Sequence, residues 1–134
     1  MNVLVDTSVW SAAFRRAAPH GSPEELELRE LIAEGRVVMI GPVRQELLSG
    51  IRNAAQFDKL RVRLRAFPDL KLERADYEEA ASCFNRRRSR GVQGSNTDFL
   101  ICAVASRRSL AILTTDQYFV RFARLLQIVI HPPR

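Results

Sequence analysis

The 134-residue chain has only two cysteines, Cys83 and Cys102. Two thiols build neither a disulfide framework nor a multi-cysteine zinc site. Histidine is as scarce: His20 and His131 stand far apart with no triad partners in sequence, which gives histidine-based nuclease chemistry no support. Neither a GxGxxG run nor a GxxxxGK run followed by Ser or Thr occurs, so dinucleotide and P-loop nucleotide binding are unsupported. No uncharged run reaches about 18 residues, which excludes a helical membrane span. The opening MNVLVDTSVW has no basic segment and meets a carboxylate at Asp6, so it does not read as a secretory signal. The expectation is a cytoplasmic protein with no membrane partner. Lysine is nearly absent too: of 21 basic residues, only Lys59 and Lys71 are not arginine.

What is present fits one globular domain spanning residues 1–134. Hydrophobic residues make up 46% and charged residues 27%, ordinary proportions for a chain that buries a core. The net charge of +6 favours polyanionic partners, and the planar guanidinium suits phosphate. The same charge is also explained by solubility alone. Short apolar runs with β-branched residues recur: Val3-Leu4-Val5, Val37-Val38-Met39-Ile40, the weaker Leu70-Lys71-Leu72, Leu110-Ala111-Ile112-Leu113 and Gln127-Ile128-Val129-Ile130. Continuous apolar runs suit strands buried on both faces. Helical patterns separate them. Ser22-Pro23 is an N-cap and N1 pair, Gly41-Pro42 a second start, and Phe57, Leu60, Leu64 and Phe67 keep helical spacing until Pro68. Tyr77, Ala80, Ala81 and Phe84 form another face, residues 99–105 are apolar all round, and Phe119, Phe122 and Leu126 precede the last strand. Alternating strands and helices predict an α/β fold: a central parallel sheet of about five strands with helices on both faces. The stretches 17–22 and 90–97 read as loops.

Four of the 15 acids fall at special places. Asp6 ends the first strand. Glu46 lies in the opening turns of the helix after the second. Asp98 opens the apolar helix that feeds the fourth strand, and Asp116 follows that strand. In a parallel sheet all four positions belong to the carboxyl edge, where open α/β sheets bind ligands. Clustered carboxylates repel one another and either take up protons or attract a cation. Hard divalent ions such as Mg²⁺ take oxygen ligands and can activate water against a phosphodiester. Setting these four acids aside leaves the rest of the molecule more basic still, the layout a nuclease needs. The plainer reading is that Asp98, beside Ser95-Asn96-Thr97, and Asp116 simply cap helices.

Four segments carry a family resemblance: VLVDTSVW, GPVRQELLSGI, NTDFLICAVA and LAILTTDQYF. In this order and spacing the sequence resembles the PIN-domain ribonucleases, specifically VapC-type toxins of toxin–antitoxin modules, over essentially its whole length. The resemblance implies that Asp6, Glu46, Asp98 and Asp116 are the catalytic and metal-binding acids, with Mg²⁺ or Mn²⁺ as cofactor. It also implies that Thr7 and Ser8 support the first aspartate. It further implies endonucleolytic cleavage of tRNA or ribosomal RNA, a homodimer, and silencing by a VapB-type antitoxin. Many relatives carry a further acid just beyond the fourth; here Gln117 and Tyr118 stand there.

The remaining features have plain readings beside sharp ones. Arg86, Arg87, Arg88 and Arg90 form the densest basic cluster, a candidate RNA track or a solvated helix end. Lys59, Arg61, Arg63 and Arg65 alternate along a helix; the expectation is a solvated surface on which Arg61 and Arg65 share a face. Cys83 and Cys102 read as core thiols, and Trp10, beside Phe14, as packing or a dimer contact. Two other functions remain open. A strand ending in aspartate also begins phosphotransfer proteins, but Ser8 stands where phosphatases of that kind need a second Asp, and no lysine follows Lys71. The other alternative is a catalytically inactive PIN-like module that binds RNA or protein.

Overall fold

The computed structural model describes residues 1–15, 21–88 and 94–134, without the side chains of Arg87, Arg88 and Phe122. Four strands form one parallel sheet in the order β2-β1-β3-β4: β1 (Val3–Val5), β2 (Val37–Val38), β3 (Ala111–Leu113) and β4 (Val129–Ile130). β1 and β3 pair along their whole length, Val3 with Ala111 and Val5 with Leu113. Both strands are fully apolar and buried, as a doubly covered parallel sheet requires.

The fifth expected strand is reduced to one isolated parallel bridge, Met39 to Asp69, closed by the Leu70 N–H on the Met39 carbonyl at 2.8 Å. Beyond that bridge the Lys71 carbonyl accepts from Arg108 instead of from a strand. A guanidinium has taken the ladder's place, so pairing stops.

Seven helices surround this sheet among the described residues: α1 (Thr7–Phe14), α2 (Pro23–Ala33), α3 (Gly41–Leu48), α4 (Ala54–Leu64), α5 (Arg74–Arg88), α6 (Asn96–Arg108) and α7 (Gln117–Leu126). Their starts follow the sequence signals. Ser22 accepts from the Glu25 amide with Pro23 at the first turn of α2, and Pro42 opens α3. α1 packs with α2 and α3, and α3 with α4; α5 packs with α6, and α6 with α7. The chain steps from β1 to β2 in one direction and then to β3 and β4 in the other. Right-handed crossovers of opposite direction cover opposite faces. α6 is buried from Phe99 to Ala105 and lies at the centre of the second layer.

Trp10 is wholly buried, 5.3 Å from Phe14 and 4.8 Å from Phe67, so it is a packing residue. Cys83 and Cys102 are buried free thiols, and burial pushes both thiols up. No helix among the described residues is long and apolar enough to cross a membrane.

Besides Glu25 at the start of α2, two further acids are buried away from the sheet edge. Asp76 in α5 is 0% exposed and receives Arg107 at 2.5 Å, Arg108 at 2.7 Å and the Glu73 amide at 2.8 Å. Glu27 in α2 is 2% exposed and is met by His131 Nε2 at 2.5 Å and Arg134 Nε at 3.0 Å. His131 is thereby part of a clasp between the chain's last residues and α2.

Candidate active site

In the strand order the direction of winding reverses between β1 and β3, the switch point where open α/β sheets leave a crevice. The chain leaves both strands there with polar residues. Asp6 follows β1 and stays tied to the sheet through its N–H on the Leu113 carbonyl at 2.9 Å. Because Val5 pairs with Leu113, the next residue on each strand falls alongside, and the Thr114 hydroxyl donates to Asp6 Oδ2 at 2.8 Å. Ser8 donates to the same oxygen at 2.7 Å. Asp6 occupies the N-cap position of α1, yet its carboxylate makes no cap bond to that helix.

Glu46 comes from α3 and meets the start of α1: the Thr7 hydroxyl donates to its Oε1 at 2.6 Å. Thr7 and Ser8 therefore serve different acids through their hydroxyls, Thr7 serving Glu46 and Ser8 serving Asp6. A cleft of about 480 Å³ opens beside them, lined by Thr7, Pro42, Gln45, Glu46, Ser49 and Thr97.

Asp98 and Asp116 both cap helices. The Ser95 amide donates to Asp98 Oδ2 at 3.0 Å while the Asp98 amide donates to Ser95 Oγ at 3.1 Å, a reciprocal capping box. The Tyr118 amide donates to Asp116 Oδ1 at 2.9 Å, and the Asp116 amide donates to the Thr114 hydroxyl at 2.9 Å. Each of these caps is made by a single carboxylate oxygen.

Electrostatics ties the four acids together. Burial raises the Asp6 carboxyl above its ordinary value; the Ser8 and Thr114 hydroxyls oppose the shift, and the charge of Asp98 adds to it. Burial likewise raises Asp98, opposed by Ser95 and reinforced by the charges of Asp116 and Glu46. Asp6 is 4% exposed and has no cationic partner among the described residues. The donor set is all carboxylate and hydroxyl oxygen, which suits a hard divalent cation. Among the described residues no group of three His, Cys, Asp or Glu side chains is placed to hold a metal ion. Mg²⁺ is commonly bound through only one or two carboxylates and keeps several waters, so the Asp6 and Asp98 pair is the part of this set to which such an ion could be fitted.

Other singled-out residues lie elsewhere. Arg86 is exposed, and its guanidinium reaches Glu79 on its own helix at 2.9 Å. Arg90 and His20 lie outside the described residues, as do the side chains of Arg87 and Arg88 and residues 17–20 and 90–93 of the stretches expected as loops; Asn96 and Thr97, expected in the second loop, already belong to α6 because Ser95 caps that helix. On α4, Arg61 pairs with Asp58 at 3.0 Å. Lys59 and Arg63 are also four apart and line one concavity, so the basic residues of that helix share two faces and not one. Thr114 was legible but missed: a hydroxyl residue one step past a strand paired with β1 must fall beside Asp6.

The architecture and this edge define a parallel α/β domain with an acidic crevice at its switch point. The chain belongs to the PIN-domain family, whose model matches residues 3–125. Two solved structures have the same fold. FitAcB from Neisseria gonorrhoeae aligns with a TM-score of 0.74 at 21% identity, covering 98% of this chain and 97% of that one. VapBC-1 from nontypeable Haemophilus influenzae aligns with a TM-score of 0.72 at 14% identity, again covering 98% and 97%. No curated protein matches the sequence at a significant level.

Proposed function

We propose that the protein is a metal-dependent endoribonuclease and the toxin of a type II toxin–antitoxin module, acting on tRNA or ribosomal RNA. The observation that carries this reading is Asp6. It is a buried carboxylate at the switch point, held by two hydroxyls, faced by the charge of a second raised acid and without a cationic partner among the described residues. A protein retains such a site when a cation arrives from outside. PIN-family membership supports nuclease chemistry, and the likeness to VapBC-1 supports a VapB-type antitoxin as a partner; a homodimer is part of the same proposal.

In this reading Asp6 and Asp98 hold Mg²⁺ or Mn²⁺, with Glu46 and Asp116 binding it directly or through water. The bound ion would supply the charge that brings water near neutral ionisation and offsets the leaving oxygen. The chain's own residues do the positioning. Ser8 and Thr114 fix the Asp6 carboxylate from one side, leaving its orientation set by the β1–β3 register. Thr7 holds Glu46 against the start of α1. Asp116, anchored by its own amide on Thr114 and its carboxylate on the Tyr118 amide, would orient a water.

The test is cleavage of total cellular RNA by the purified protein with Mg²⁺ or Mn²⁺, beside EDTA and the Asp6→Asn protein. Discrete cuts that vanish in both controls are expected, and end-mapping then identifies the RNA. Cuts that persist in EDTA or in Asp6→Asn overturn the assignment. Folded, antitoxin-free protein that cuts in neither metal supports the inactive RNA- or protein-binding module instead.

A further inference from the structure

An acidic centre repels the phosphates it is meant to act on, so retention of a polyanion has to come from elsewhere on the molecule. One concavity answers that need. A pocket of about 780 Å³ lies between the end of α1 and the start of α4, with Arg15, Arg52, Lys59 and Arg63 on its walls and no acid among its lining residues. Phe14 lines it as well, and Arg63 lies over that ring at 4.3 Å to the centroid. All four cations are exposed, and none forms an ion pair with a described acid, whereas Arg61 on the neighbouring face of α4 is paired with Asp58. Cations gathered into a concavity without carboxylates await an anion from solution.

Its position relates it to the acidic cleft. Ser49 lines that cleft and Gly50, the next residue, lines this pocket. Thr7 and Phe14 mark the two ends of α1, one at each concavity, and a helix of that length spans roughly 12 Å. Phosphates along a strand are spaced by about 3.4 Å or more, so this is the reach of a few nucleotides.

We propose that the pocket formed by Arg15, Arg52, Lys59 and Arg63 is a phosphate-backbone site that holds an RNA strand a few nucleotides from the acidic centre. The site rests on the nuclease reading for its choice of RNA over an acidic protein segment. Phosphate contacts carry little sequence information, so the pocket sets affinity and register, not the cleavage motif.

The test is equilibrium binding of a fluorescent single-stranded RNA across a salt series, in the Asp6→Asn background so that binding is read without cleavage. Arg52→Gln/Lys59→Gln in that background is expected to weaken binding and to flatten the log–log salt slope by about 1.4, for two lost contacts. Arg61→Gln/Arg65→Gln removes the same charge from α4 outside the pocket and is expected to leave the slope nearly unchanged. Both pairs are exposed, and an unchanged thermal melt checks that each variant folds. An equal fall in both pairs reduces the effect to net charge and overturns the site, as does an unchanged slope in the pocket variant. Absence of RNA binding by the parent protein overturns it too. So does pocket-dependent capture of a polyglutamate peptide with RNA indifferent to the variant. Pocket-dependent RNA binding by a wild-type protein that cuts nothing leaves the site standing and removes the nuclease reading.

Discussion

Four acids withdrawn wholly or partly from water have shifted carboxyls, and they divide by what faces them. Burial by itself would raise Asp76, but the Glu73 amide and the Arg108 and Arg107 guanidiniums outweigh it and hold the carboxyl below its ordinary value. The same balance, struck by His131 and Arg134, lowers Glu27. At the sheet edge burial is not offset. Asp6 and Asp98 face hydroxyls, amides and other acids, and both carboxyls are raised. The first pair is complete within the fold: Asp76 ties α5 to α6, and Glu27 ties α2 to the chain's last residues. The second pair finds no cationic partner among the described residues, which is what the proposed metal would provide. Burial of a carboxylate therefore says little about its role; the sign of what surrounds it says much.

The widest separation of the two classes should come from Asp6→Asn. Cleavage is expected to fall by more than about a hundredfold, beyond what loss of a supporting residue costs, because the proposed metal ligand itself is removed. The melting temperature should hold or rise, since a repelled charge has gone. A cleavage assay paired with a thermal melt reads both, and a sharp loss of stability would erase the distinction. Asp76→Asn should do the reverse. Removing one member of a buried pair costs about 3–5 kcal/mol, and the low end applies because Arg107 and Arg108 are 33% and 22% exposed and can reach water. Denaturant unfolding should show that loss while the folded fraction keeps its specific activity.

Thr114→Val sharpens the comparison within the edge itself. It removes a hydroxyl from Asp6 and an acceptor from the Asp116 amide, and a roughly tenfold weakening of metal affinity is expected by titration. The smallest effect should appear in pH. A carboxyl raised in the folded state binds its proton more tightly than in the unfolded chain, so its contribution to stability falls as pH rises through the folded value. Asp76 and Glu27, lowered in the folded state, give stability present above their unfolded values of 3.8 and 4.5 and lost as pH falls through the folded ones. The Asp6→Asn minus wild-type difference in melting temperature should therefore grow from pH 4 to pH 7 in EDTA and shrink in Mg²⁺. A flat difference would contradict the raised carboxyl.

Much of this was readable from residues. The β1 and β3 runs are continuous and β-branched, and no helix of three residues competes. The placement of Asp6, Glu46, Asp98 and Asp116 follows from strand polarity alone. The weak run 70–72 failed as a strand because its backbone is claimed by Arg108, a side chain 37 positions from Lys71. The structural acids were invisible for the same kind of reason. Asp76 lies 31 and 32 residues from its arginines and Glu27 lies 104 from His131, and no local pattern announces such partners. The pocket on α4 was hidden by reading one face of an alternating run where two exist.

The capping bonds of Asp98 and Asp116 have a consequence for how such a chain drifts. Asp116 is the N-cap of α7, where replacement by alanine costs about 1 kcal/mol of stability whether or not any reaction depends on it, while Asp98 supports α6 as the third residue of the box closed by Ser95. Asparagine caps about as well as aspartate at 116. Selection on folding alone thus confines that position to a short alphabet and cannot tell its acid from its amide. If the proposed chemistry holds, asparagine at 116 in descendants of this sequence would mark a fold retained after that chemistry was given up.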